Sequence, residues 1–96
     1  MPTRMLQIEI KGELYKTIVF IGGIEIKLWE MKEHNYKRHF SRFTIDGLLD
    51  VMFHLEGIQG TEWKVLLKWE DETVWQKEGI IGPQGYTELK ELLKIN

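Results

Sequence analysis

Thr44-Ile45-Asp46-Gly47-Leu48-Leu49-Asp50-Val51-Met52-Phe53-His54-Leu55-Glu56-Gly57, TIDGLLDVMFHLEG, is the stretch on which the fold turns. Ile45, Leu48, Leu49, Met52 and Leu55 recur at spacings of three and four, the period of an amphipathic helix. Thr44 is a competent N-cap, and Gly57 stands where a C-cap glycine belongs. Phe43 and Leu48 flank that cap at the positions of a hydrophobic staple. The rival reading makes Asp46-Gly47 a tight turn between two strands. The apolar arc is continuous, so the helix is preferred, although Gly47 in its first turn costs about 1 kcal/mol relative to Ala.

Upstream the period is two. Leu6, Ile8 and Ile10 alternate with Gln7, Glu9 and Lys11, a half-buried strand closed by Gly12-Glu13. Leu14 to Ile21 is apolar on both parities, as in a central strand, and Gly22-Gly23 supplies the positive φ of a two-residue hairpin turn. Ile24, Ile26 and Leu28 alternate with Glu25, Lys27 and Trp29 as a third strand. A corner at Glu33-His34-Asn35 leads to a fourth, Tyr36 to Phe43. Downstream, Trp63, Val65, Leu67 and Trp69 alternate with Lys64, Leu66 and Lys68. Glu70-Asp71-Glu72 turns that strand, and Thr73 to Glu78 returns. Gly79 to Gly85 is a loop by its Gly and Pro content, and Tyr86 to Ile95 is a second helix burying Leu89, Leu92 and Leu93.

The order ββββ-α-ββ-α predicts an α+β fold for residues 1–96 as a single domain, an antiparallel sheet, mostly a meander, with two helices packed against it. A β-grasp arrangement is the alternative. Leu6, Ile8, Val19, Ile26, Leu49, Met52, Val65, Leu67 and Leu92 are the expected core.

Ninety-six residues suit one modest core, and four Trp, four Phe and three Tyr supply material for it. The formal charge of −2 gives the whole molecule no attraction to polyanions. Its distribution is uneven: residues 1–42 carry eight Lys or Arg against five Glu, and residues 43–96 carry five Lys against ten acids. Without cysteine there is no disulfide framework, thiolate metal site or thiol nucleophile. Met1 to Gln7 has no signal-like apolar segment, and the apolar run Ile18 to Ile24 is too short to span a bilayer. A cytoplasmic protein without membrane association is expected.

Catalytic sets are sparse. Asp46, Asp50 and His54 would share one stripe of the first helix, and Asp50 could orient His54 as a general base, but no nucleophile accompanies them. The plainer alternative is a solvated face whose charges suit the helix dipole. His34, His39 and His54 lack the spacing of a metal site, so neither metal nor cofactor is expected. Gly79, Gly82 and Gly85 precede the second helix, where an anion could sit, yet they match no phosphate-binding fingerprint.

The remaining signal is aromatic and basic. Trp63 and Trp69 share a face with Val65 and Leu67 and read as packing residues, whereas Trp29 lies opposite Ile26 and Leu28 and is a candidate exposed aromatic, at a partner interface or covered by the second helix, with core packing the preferred reading. In Tyr36-Lys37-Arg38-His39-Phe40-Ser41-Arg42-Phe43, alternation puts Tyr36, Arg38, Phe40 and Arg42 in one row. If exposed, its rings and guanidinium groups would stack on unpaired bases and meet phosphates. An edge strand protected by its charges explains the same residues. The expected function is a small non-catalytic binding or regulatory protein acting on another protein, with homodimerisation suggested by the surplus aromatics. The alternative is single-stranded nucleic-acid binding through Tyr36, Arg38, Phe40 and Arg42. A small enzyme using Asp50 and His54 ranks third.

Overall fold

The computed structural model describes residues 3–44 and 47–94. Alternating burial runs through both segments expected to be helical. In Leu48–Gly57 the side chains of Leu49, Val51, Phe53 and Leu55 are buried, while Leu48 and Asp50 are exposed and Met52, His54 and Glu56 are half-buried. In Tyr86–Lys94, half-buried Thr87, Leu89, Glu91 and Leu93 alternate with exposed neighbours. Both are strands, and the described residues contain no helix. The α+β expectation, its two helices and the β-grasp alternative are therefore corrected to an all-β fold. Ile45 and Asp46, at the start of the expected first helix, and Ile95, at the end of the second, lie outside the described residues.

Among those residues there are nine strands: β1 (Thr3–Lys11), β2 (Leu14–Ile21), β3 (Ile24–Ile26), β4 (Trp29–Lys32), β5 (Asn35–Thr44), β6 (Leu48–Gly57), β7 (Glu62–Trp69), β8 (Glu72–Ile80) and β9 (Tyr86–Lys94). They form sheet A, in the order β4-β5-β1-β7-β8, and sheet B, in the order β3-β2-β6-β9. All pairings are antiparallel.

The expected meander is replaced by a chain that keeps crossing between sheets. Only β2 to β3, β4 to β5 and β7 to β8 are hairpins within one sheet. Gly22 (φ 58°) and Gly23 (φ 81°) form the first, in keeping with the glycine pair. Glu70 (φ 54°) and Asp71 (φ 67°) turn the third without glycine, in a region that disfavours side chains. The Gly47 position bends too (φ 83°), but the strands on either side, β5 and β6, belong to different sheets, so the rival hairpin does not form either. The single strand expected over Ile24 to Trp29 divides at Lys27-Leu28, where the chain passes from β3 in sheet B to β4 in sheet A.

The inner faces of both sheets enclose one cluster: Leu6, Ile8 and Ile10; Leu14, Val19 and Ile21; Leu49, Val51, Phe53 and Leu55; Trp63, Val65, Leu67 and Trp69; and Ile81. Burying a side chain of this kind is worth about 1.5–3 kcal/mol, so this two-layer core holds the sheets together. Trp75 of β8 reaches across to stack on Phe53, ring centroids 5.3 Å apart. Two members of the expected core are misplaced. Met52 pairs with Lys90 and Leu92 with Asp50 on the outer face of sheet B, because period two sends alternate residues outward. Ile26 packs only partly against the cluster.

Glycine is needed at position 79 for close approach. Gly79 pairs with Trp63 on the inner face, and a Cβ there would lie 2.7 Å from Trp63 Cζ2. The flat indole and the missing side chain fit together.

Candidate functional site on the two outer faces

Residues paired directly across an antiparallel ladder share a face. Leu6, Ile8 and Ile10 point into the core, and their partners on β5 are Phe40, Arg38 and Tyr36. The aromatic and basic row thus lies on the inner side of sheet A. Tyr36 and Phe40 pack partly against the core, and the Tyr36 hydroxyl donates to the Leu14 carbonyl at 3.4 Å. Burial, helped by the negative charge of Glu30, pushes the Tyr36 phenol above its ordinary pKa.

The row does not continue to Arg42. Leu6 pairs with Phe40 but Arg4 with Phe43, so β5 contains one more residue than β1 between these points. This bulge reverses the alternation, returning Phe43 to the inner side, where its ring lies 5.4 Å from that of Phe40. Arg42 is exposed at the bulge. Tyr36, Arg38 and Phe40 are therefore brought together, and Arg42 is separated from them.

Arg38 escapes the core sideways. Its guanidinium carbon lies 4.8 Å from the Phe40 centroid and 4.7 Å from that of Trp29, and Nη1 donates to the Lys27 carbonyl at 3.3 Å. Such cation–π contacts are worth about 0.5–2 kcal/mol, depending on desolvation. Trp29 is 60% exposed, so the preferred core-packing reading is corrected, and it pairs with Lys37 at the rim of sheet A's outer face.

That outer face is rich in lysine, with Glu62 and Asp71 at its ends adding to Glu9 and Glu78. Its rows are Trp29, Lys37, Glu9, Leu66, Gln76; then Asn35, Lys11, Lys64, Glu78; then His39, Gln7, Lys68, Thr73. Among these, four lysines face two glutamates. Leu66 is buried beneath them despite pointing outward, a residue sequence reasoning assigned no role. Lys37 Nζ lies 3.3 Å from Glu9 Oε2. Burial alone would raise the Glu9 pKa, but the Lys37 hydrogen bond, the Lys11 and Lys37 charges and Asn35 outweigh it and hold the carboxyl below its ordinary value. Beside them an open groove of about 520 Å³ is lined by Lys11, Lys64, Glu62 and Glu78 with Gly12 and Gly79.

The outer face of sheet B has another character. Ile18, Phe20 and Met52 are half-buried there, and Leu48, Tyr86 and Leu92 are exposed. The charges around them balance: Lys16, Lys27, Lys90 and Lys94 against Glu25, Asp50, Glu56 and Glu88.

His54 sits centrally on this face. Its Nε2 is 2.7 Å from Glu56 Oε2, its Nδ1 is 3.5 Å from Glu88 Oε1, and its ring stacks on Tyr86 at 5.5 Å. An imidazolium can donate to both carboxylates, a neutral ring to one only. Asp50 is on the same face but four residues away, roughly 13 Å along an extended strand, so it does not orient His54. A helix would have brought the two within reach, and the strand substitutes Glu56 and Glu88. Among the described residues, no cluster of His, Cys, Asp and Glu could hold a metal ion.

The glycine-rich segment offers no anion site of the kind considered. Gly79 belongs to β8, Gly85 (φ 85°) closes a turn with its N–H on the Gly82 carbonyl, and a strand rather than a helix follows. No helix among the described residues is long and apolar enough to cross a membrane.

Set against known proteins, the chain matches no family model, no curated protein and no solved structure.

Proposed function

We propose that the chain is a small non-catalytic binding or regulatory protein that meets another protein through the outer face of sheet B. The observation that carries this is the composition of that face. Half-buried Phe20 and Met52 pair across the middle of the face beside Ile18, exposed Leu92 and Leu48 lie toward one end and Tyr86 stacks on His54 toward the other, and the charges interspersed among them balance. Aromatic residues and methionine are enriched in interface cores, whose rims are polar. A photo-crosslinking side chain at position 92 is expected to yield a discrete protein adduct, and one at position 76 on sheet A is not. Equal adducts from both positions, or none from position 92, would overturn the assignment.

A second reading is favoured by Trp29. An exposed indole beside a lysine-rich sheet, with Arg38 against it, combines stacking with phosphate contacts, so sheet A's outer face suits single-stranded nucleic acid. This platform uses Trp29, Lys37, Lys64 and Lys68 in place of the inward Tyr36 and Phe40. Fluorescence anisotropy with labelled single-stranded DNA or RNA tests it: binding in low salt should weaken steeply as salt rises, and Trp29→Ala should weaken all sequences alike. No binding in low salt ends it.

A further inference from the structure

β9 closes sheet B at one side. β6 pairs with it from Tyr86 to Lys94, and among the described residues no strand pairs with its other edge. A nine-residue edge exposes backbone donors and acceptors able to take another strand. The question is which strand its side chains would accept.

We propose that the partner is β9 of a second copy, paired antiparallel about a two-fold axis through Leu89. In such a pairing opposite residues share a face, so every allowed register is centred on a residue. With Leu89 at the centre, Glu88 of each copy faces Lys90 of the other, and Tyr86 faces Leu92 of the other on the same outer face. Thr87 faces Glu91 of the other copy on the inner face. Neighbouring registers are poorer. Centring on Glu88, Lys90 or Glu91 sets that charge against itself, and centring on Leu92 sets Lys90 against Lys94. Opposite charges directly across a ladder stabilise and like charges oppose, so among the registers centred from Glu88 to Leu92 the pattern TELKELLK favours the one through Leu89; centring on Thr87 or Leu93 leaves no opposite-charge pair within β9.

The exposed apolar residues support the same arrangement. Tyr86 and Leu92 are 42% and 62% exposed, and each becomes the cross-strand neighbour of the other in the paired sheet. The dimer extends sheet B across both copies and brings their outer faces side by side. It goes beyond the function proposed above, because edge pairing leaves the rest of those faces open to a different protein; the mass of the position 92 adduct separates the two, since the dimer adds a second copy of this chain and the proposed function requires a different protein.

Sedimentation velocity of the full chain from low to high micromolar concentration is expected to show a monomer–dimer equilibrium. Glu88→Lys sets Lys against Lys90 and should weaken dimerisation about tenfold, the effect of two symmetric cross-strand pairs changing sign. Lys90→Glu should do the same without removing the Glu88 contact to His54. Glu88→Lys/Lys90→Glu should restore the wild-type constant within about threefold. An equimolar mixture of the two single variants should form a heterodimer at wild-type affinity, since every facing pair is then again of opposite sign. Misfolding of either variant cannot produce that recovery. A monomer at all concentrations, a dimer unaffected by the single changes, or a failure of both the double variant and the mixture to recover would overturn the proposal.

Discussion

The outer faces of sheets A and B have similar neighbours and different chemistry. Each covers half of the same core, but sheet A shows the solvent Lys11, Lys37, Lys64 and Lys68 over a buried Leu66, whereas sheet B shows Tyr86, Leu92 and Leu48 among balanced charges. The inner faces are alike because both must exclude water from one cluster. The outer faces are free of that demand, so their composition carries the functional information. Lysines across the middle of a sheet discourage contact with like surfaces; exposed apolar residues gain from being covered.

The largest test concerns which side of β6 faces the core. Phe53→Ala is expected to cost about 3–5 kcal/mol of stability in urea unfolding, from lost burial and the cavity left under Trp75. Met52→Ala, one residue along on the outer face, should cost about 1 kcal/mol. Equal losses would break the distinction between the faces. Next is the inner surface of sheet A, where Gly79→Ala should cost about 1–3 kcal/mol, because the new methyl group meets the rigid Trp63 ring. A neutral result would mean that the indole has room to move.

Smaller in stability and larger in binding is the contrast between the outer faces. Leu92→Ser and Lys64→Glu should each change stability by no more than about 0.5 kcal/mol. Leu92→Ser should remove the adduct formed from a crosslinker at position 86, and Lys64→Glu should leave it intact. The reverse pattern would exchange the roles of the sheets.

The smallest effect is in acid. Glu9 has a lowered carboxyl pKa in the folded protein, so its contribution to stability is present above the unfolded value near 4.5 and is lost as pH falls through the folded value below it. Lys37→Met removes the main cause of the lowering. Its acid-unfolding midpoint should therefore lie at higher pH than that of the wild type, while the difference in stability at pH 7 stays small. Coincident acid transitions would show that the pair does not stabilise the fold.

Much of the strand framework is legible in the amino-acid order alone. Leu6, Ile8 and Ile10, then Trp63 to Trp69, show clean alternation, and the Gly22-Gly23 turn is local chemistry, so all three form where their residues predict them. TIDGLLDVMFHLEG is ambiguous because it carries both periods. Leu48 and Met52 complete a helical arc, while Leu49, Val51, Phe53 and Leu55 complete an alternating one. Val51 and Phe53 favour a strand, a cue the continuous arc obscures. The site is legible only in part. The parity of Trp29 makes it a candidate for exposure but does not decide against core packing, and the bulge that separates Arg42 from Tyr36, Arg38 and Phe40 depends on β1, some forty residues away in the chain, and leaves no mark on β5 alone.

By itself the sequence determined the alternating strands around Leu6–Ile10 and Trp63–Trp69, the glycine turn and the lack of thiol chemistry, because each depends on residues within a few positions. Tertiary structure decided the rest. TELKELLK has the composition of a helix and becomes β9 because β6, already paired with β2, offers it an open edge along its whole length. Intrinsic propensity differs by only tenths of a kcal/mol per residue, and an edge full of unpaired backbone groups above an exposed core outweighs it.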